Sequence, residues 1–330
     1  MNQDEAGFNH SAVNRLTALW ALNESGLGGV LHAAKFPFTG IFVGGFAVIL
    51  ISLIARYSNY SFKVILKATA MVLMIKAAVS PHSPFPAYLA VSFQGLLGAV
   101  MFSLSRNFKI APIVFGGLAL LESAIQKILL TVLFFGMSFW KSVDDFISST
   151  MKIFQLPADF SFSEWIAISY VVLYFVLGLL IGKFTKQIPD AVSSLDFSMI
   201  KLTDKEHPVK HNRKRRKRLI VMVALSILLS FQLISVFIGL PFGNLLARLV
   251  FFMLLFYYVV GPLTSYLIKL LSRNRSEEIA KLNNDVAQLR VALKPVINYV
   301  NKNYRGVNRL KMFVLYMIAI SLNDVRNENE

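Results

Sequence analysis

The chain has 330 residues, of which 55% are apolar, and it carries a formal net charge of +16 without a single cysteine. The lack of cysteine excludes disulfides, thiolate metal sites and cysteine nucleophiles. The excess positive charge lies beside long apolar segments, where it marks membrane topology and attracts anionic lipid, so nucleic acid is not expected as a partner.

Eight apolar stretches are candidates for helices that cross a bilayer, which takes about 20 mostly apolar residues. The first, 16–34, contains Asn23, Glu24 and several glycines. It fits either a span or an interfacial helix, and the loop charges favour the span. The other seven stretches are 38–55, 62–79, 86–104, 110–136, 165–182, 219–239 and 245–271.

A run of basic residues stands directly before the stretch 219–239: Arg213, Lys214, Arg215, Arg216, Lys217 and Arg218. Moving this run across hydrocarbon would be very costly, so we expect it to stay in the cytoplasm and to bind anionic lipid there. Further basic residues mark other cytoplasmic loops: Arg56 with Lys63, Arg106 with Lys109, and Lys183 with Lys186. By contrast, 80–85 has no basic residue and 139–164 is acidic. Both termini are therefore predicted to be cytoplasmic, with the protein in the inner membrane of a bacterium.

These signals predict an all-α, polytopic membrane helix bundle with about eight transmembrane helices, six plus two, and a cytoplasmic helical tail. The predicted domains are a six-helix membrane domain over 1–185, a basic linker over 186–218, a two-helix hairpin over 219–271 and the tail over 272–330.

The tail contains apolar residues at alternating spacings of three and four, which places them on one seam of a helix. The seam comprises Ile279, Leu282, Val286, Leu289, Leu293, Val296 and Val300. Two interpretations remain open: a helix that lies on the protein's own surface, or a coil that binds a partner or a second copy of the chain. The apolar stretch 312–322 is too short to span and is expected at the interface or packed under the bundle.

Ionisable residues inside spans are costly and are therefore candidate sites. Glu122 is predicted to pair with Lys76, either as a structural ion pair or as part of a binding site. Lys35 and His82 lie in short proline-bearing loops that are expected to face outside and to close over a solute. Gln94 either reaches the same cavity or bonds to a neighbouring helix.

The chain lacks the phosphate-binding motif G-x-x-x-x-G-K-[ST], the zinc motif H-E-x-x-H and the nucleophile motif G-x-S-x-G. An enzyme is therefore not expected, and neither is a metal or another cofactor. The remaining interpretations are an uptake component for a small-molecule solute and a non-transporting scaffold whose tail recruits a partner.

The segment 80–91, Ser-Pro-His-Ser-Pro-Phe-Pro-Ala-Tyr-Leu-Ala-Val, runs into Gln94-Gly95-Leu96-Leu97-Gly98. With the six short spans and the glycine-rich first helix, it resembles the substrate-binding S component of an energy-coupling-factor vitamin transporter, over residues 16–185. The resemblance implies a solute held near the external face, beneath the loops 35–40 and 80–86. It also implies a separate coupling subunit and ATPase as partners, although such proteins normally end after six helices.

Overall fold

A computed structural model describes residues 8–33, 38–79, 85–155, 161–195 and 276–327, together with Phe251, Leu254, Tyr258 and Tyr266. These residues form an all-helical protein, and no strand occurs among them. The predicted spans 219–239 and 245–271 and the basic run 213–218 lie outside the described residues, apart from those four isolated positions.

The described parts of the chain contain the following α-helices. They are α1 (His10–Leu22), α2 (Gly28–Ala33), α3 (Gly45–Tyr57), α4 (Phe62–Val79), α5 (Phe85–Leu104), α6 (Ala111–Phe135), α7 (Met137–Ile153), α8 (Phe162–Ser193), α9 (Ser276–Asn303) and α10 (Val307–Asn327). There are also two π-helical turns among the described residues. The first, Asn23–Leu27, joins α1 to α2, and the second, Gly40–Gly44, leads directly into α3.

Among the described residues, four helical segments are long and apolar enough to cross a membrane: Gly40–Tyr57, Phe85–Leu104, Ala111–Phe135 and Phe162–Ser193. They coincide with four of the predicted spans, which confirms the all-helical class and the presence of several long apolar helices. The helix Phe62–Val79 also has the predicted bounds, but it carries three lysines.

The helices pack into two compact units. Unit 1 takes the described parts of Met1–Ala124, Val171–Lys205 and Leu267–Glu330, and unit 2 takes those of Ile125–Tyr170 and Glu206–Tyr266. Each of the four predicted domains is one continuous segment of the chain, whereas each unit combines segments that are separate in sequence but pack together. The tail therefore belongs to the same unit as the first helix.

The core of unit 1 is built around α1. This helix packs against α3, α4, α9 and α10. Its residues Leu16, Ala18, Trp20 and Ala21 are completely buried. A stretch of helix that is buried on all sides must be surrounded by other elements, so α1 is a central helix and not one that lies along a surface.

The seam of the tail is covered within unit 1. Leu282, Leu289, Val296 and Val300 on α9 are all at most 3% exposed, and α9 packs against α1 and α10. The first of the two interpretations, a helix that packs on its own protein, describes this arrangement. The stretch 312–322 lies in α10 and packs into the same core.

The hydroxyl of Tyr316 on α10 lies among other tyrosines. Burial and hydrogen bonds to Tyr299 and Tyr304 raise the pKa of Tyr316 above its usual value. The ring of Tyr299 meets that of Tyr316 edge-on, with centroids 5.3 Å apart. This cluster ties α10 to the end of α9.

Glycines allow α6 and α8 to touch through their backbones. A Cβ on Gly116 would overlap the carbonyl of Gly178, and a Cβ on Gly182 would overlap the carbonyl of Pro112. Gly178 and Gly182 are four residues apart and form a small-xxx-small pair, the spacing that permits close helix contact in membranes.

Unit 2 contains a helix where the sequence predicts a loop. The stretch 139–164 is too polar to span, but α7 occupies its first half and none of the α7 residues is buried. Asp144 on α7 accepts hydrogen bonds from the backbone N–H and the hydroxyl of Ser163, at 2.7 and 2.6 Å, at the start of α8. These bonds hold the pKa of Asp144 below its usual value. The prediction of a loop is thus corrected, because hydropathy detects a span but not an exposed amphipathic helix.

The predicted boundary at 182 also changes. The helix α8 continues through Lys186 and Pro189 to Ser193, so the first residues of the predicted linker are helical.

Candidate functional site

A buried ion pair lies in the interior of unit 1. Glu24 on the first π-helical turn accepts a hydrogen bond from the ammonium of Lys76 at 2.7 Å, and both side chains are at most 4% exposed. The ammonium also donates to the carbonyl of Ala87 at 3.3 Å, and it lies 5.9 Å from the ring centroid of Tyr88. Both charges are thus removed from solvent and satisfied by each other and by the first turn of α5.

The predicted partner of Lys76 is therefore corrected from Glu122 to Glu24. Glu122 lies on α6 beside Ser123, whose hydroxyl meets the Gln94 amide of α5, and it forms no ion pair with any described residue. By contrast, α1 and its π-helical turn pack directly against α4, which brings Glu24 to Lys76.

Asn23 connects the two π-helical turns. Its side-chain N–H donates to the carbonyl of Val43 at 2.9 Å. The side-chain oxygen of Asn23 is buried and accepts no hydrogen bond from any described residue. An unsatisfied buried acceptor costs about 1–3 kcal/mol, and such an atom is a place where a ligand or a water gains affinity.

Gln94 is 2% exposed and lies against Gly44. Its amide nitrogen would be 3.0 Å from a Cβ at position 44, so the glycine there leaves room for this close approach. The same nitrogen is 3.5 Å from the hydroxyl of Ser123, at the outer limit of a hydrogen bond. This arrangement agrees with the interpretation that Gln94 bonds to a neighbouring helix.

Glu122 is half-buried on α6. One of its carboxylate oxygens is buried and accepts no hydrogen bond within the described part of the chain. The next residue, Ser123, lies beside Gly40 together with the buried ring of Tyr174.

Six polar residues therefore line the inside of unit 1, and we call this set the polar interior. It comprises Asn23, Glu24, Lys76, Gln94, Glu122 and Ser123. The set contains two carboxylates but only one ammonium, and its atoms without partners are oxygens. The arrangement is therefore suited to accept hydrogen bonds from a small donor.

The other predicted site residues lie outside the described residues. These are Lys35 and His82 in the two proline-bearing loops and the basic run Arg213, Lys214, Arg215, Arg216, Lys217 and Arg218. Their predicted contacts with solute and lipid stay predictions. Among the residues that the structure describes, no three metal-ligating side chains come together.

Three residues near the site are not singled out by the sequence. In the sequence, Asn23 is only a polar residue within an apolar stretch, although a buried amide beside a buried acid indicates a polar interior. Ser123 and Tyr174 carry no sequence signal, because small hydroxyls and tyrosines are common on apolar helices.

Comparisons with known proteins give no relative from which a role could be inferred: no protein-family model, curated protein or solved structure matches the chain.

Proposed function

We propose that the protein is a multi-pass membrane uptake component that binds a small polar solute in the polar interior. The observation that carries this proposal is the buried Glu24–Lys76 pair together with two acceptor oxygens without partners, on Asn23 and Glu122. A helix bundle that served only to hold its helices together would gain more from apolar packing at these positions.

The backbone supports the same proposal. Glu24 lies on a π-helical turn, and a second π-helical turn precedes α3. Single π turns inside α-helices occur frequently at functional sites, because they widen the helix and release backbone groups. Both turns lie close in sequence to the first of the external loops that the S-component resemblance assigns to the solute.

The chemistry of the unpartnered atoms indicates the class of solute. Carboxylate and amide oxygens accept hydrogen bonds, so the solute is expected to carry an ammonium, amide or hydroxyl donor. Lys35 and His82, in the external loops, are proposed to close over it. A separate coupling subunit and ATPase would supply the energy, as in the transporters that the first six spans resemble.

The alternative of a scaffold has less support. It relied on a free apolar seam in the tail for recruiting a partner or a second copy. That seam is buried against α1 and α10 within unit 1, so a partner could bind the seam only by displacing part of the core.

The test begins with the full-length protein purified in detergent. Mass spectrometry identifies the solute that it retains, and calorimetric titration measures affinity. Glu122→Gln keeps the size of the side chain but removes one of its two acceptor oxygens, so we expect the affinity to fall about tenfold, the equivalent of one hydrogen bond to the solute. The matched control is Glu277→Gln, an exposed position on α9. Equal affinities for both variants would contradict the proposal.

A further inference from the structure

Three segments that the sequence assigns to the cytoplasmic side meet at one groove in unit 1. The groove has a volume of about 550 Å³. It is lined by four cationic side chains, Arg56, Arg106, Lys109 and Lys186, and by one carboxylate, that of Asp190. The cations come from the end of α3, the turn between α5 and α6, and the second half of α8.

Helix packing explains why they converge. Gly182 on α8 lies against the backbone of Pro112 in the first turn of α6. Lys186 follows Gly182 by one helical turn and is thereby brought level with the residues that precede α6. On the other side, the guanidinium carbon of Arg56 lies 5.0 Å from the ring centroid of the buried Phe108, which fixes Arg56 beside the same turn.

The charge in this groove is not neutralised by the described part of the chain. None of the four cations forms an ion pair with a described carboxylate, and Arg106, Lys109 and Lys186 are exposed. The α6 helix begins at the groove, where Asn107 accepts hydrogen bonds from the backbone N–H groups of Lys109 and Ala111. The positive end of the helix dipole therefore adds to the four cations, and both favour an anion.

We propose that this groove binds the phosphate of an anionic phospholipid. Arginine and lysine together are suited to phosphate, since the guanidinium donates two parallel hydrogen bonds and the ammonium adds a compact charge. Leu104 and Ile110 flank the turn that carries Arg106 and Lys109, and they are 82% and 58% exposed. These apolar side chains end one long apolar helix and precede the next, where the acyl chains of a lipid would lie. A free phosphate compound would leave them uncovered.

This site is separate from the polar interior and does not depend on a solute. It also differs from the basic run 213–218. That run is unchanged in every variant below, so any lipid binding by the run is the same in all of them.

The experiment uses the full chain in an uncharged detergent. Phosphatidylglycerol or phosphatidylcholine is added, and native mass spectrometry counts the bound lipids over a titration. The double variant Arg106→Gln with Lys109→Gln removes two of the four cations, and we expect its affinity for phosphatidylglycerol to fall roughly tenfold. Asp190→Asn removes the opposing carboxylate and is expected to raise the affinity a few-fold.

The matched control is the double variant Lys281→Gln with Lys302→Gln. It removes the same charge from exposed positions on α9, outside the groove, and should bind phosphatidylglycerol like the unmodified protein. Thermal melting checks that each variant is folded.

Two outcomes would overturn the proposal. One is an equal affinity for phosphatidylglycerol in the groove variant and in the control, which would mean that the groove has no role beyond its net charge. The other is complete displacement of phosphatidylglycerol by an equal concentration of glycerol 3-phosphate, which would show that the ligand is a free phosphate compound. Either result leaves the solute proposal untouched, because solute affinity is measured separately.

Discussion

At the scale of single residues, two ion pairs of unit 1 differ in their surroundings. Glu24 and Lys76 are at most 4% exposed and 2.7 Å apart, whereas Lys67 and Glu278 are 2.7 Å apart but 45% exposed. Water screens the second pair and lets either member stand alone. Water does not reach the first pair, so removing one member leaves the other charge unpaired in the protein interior.

We therefore predict that Lys76→Met destabilises the protein by about 3–5 kcal/mol, because it leaves the Glu24 carboxylate buried without its cation. Adding Glu24→Gln should recover part of this loss. Thermal unfolding of the detergent-solubilised protein measures both effects.

The exposed pair provides the control. Lys67→Met should cost less than about 1 kcal/mol. If the effects of Lys76→Met and Glu24→Gln simply add in the double variant, the two residues are not coupled and the pair has no energetic role.

At the scale of elements, α9 is an amphipathic helix whose apolar seam is covered by α1 and α10. Leu289, near the middle of the seam, is 2% exposed, whereas Ile297, two turns later on the same helix, is 42% exposed. Because α1 is surrounded on all sides, the tail supplies part of the wall of the core.

We predict that Leu289→Ala destabilises unit 1 by about 2–5 kcal/mol, the usual cost of a cavity left by a buried leucine. Ile297→Ala removes a similar side chain from an exposed site and should have a much smaller effect. Chemical denaturation of the two variants makes the comparison.

The coil interpretation predicts a different result. If the seam joined two copies of the chain, Leu289→Ala would shift the oligomeric state in light scattering and leave the melting of the monomer unchanged. That outcome would contradict the packing of the tail on α1.

At the scale of the whole molecule, the distribution of basic residues predicts the orientation of the chain in the membrane. The cations that line the groove and the predicted linker are expected on the cytoplasmic side of the bilayer, and the acidic stretch 139–164 on the external side. The absence of cysteine makes this easy to test, because each introduced cysteine is the only thiol in the chain.

We predict that a cysteine at Ser194 reacts with a membrane-impermeant reagent only after the cells are opened. A cysteine at Ser149 on α7 should react in intact cells. Both positions are exposed, so accessibility within the protein does not limit the reaction. Labelling of the Ser194 variant in intact cells would reverse the assigned orientation.

Much of the local structure was predictable from the sequence alone. The long apolar runs predicted four of the long helices, and the bounds of Phe62–Val79 matched, because helix formation depends on neighbouring residues and a continuous apolar run is a local property. The seam of α9 was predictable for the same reason. The helix α7 was not predicted because it is exposed and partly polar, and the mean hydropathy of such a helix is similar to that of a loop.

Only the tertiary structure decided which residues meet. The partner of Lys76, the cover of the α9 seam and the convergence of four cations on one groove depend on which helices are neighbours and at what height they touch. Glycine contacts such as Gly116 with Gly178 set that height. Spacing along one helix holds no information on the register between two helices, and for this reason the sequence predicted Glu122 as the partner of Lys76 where the structure has Glu24.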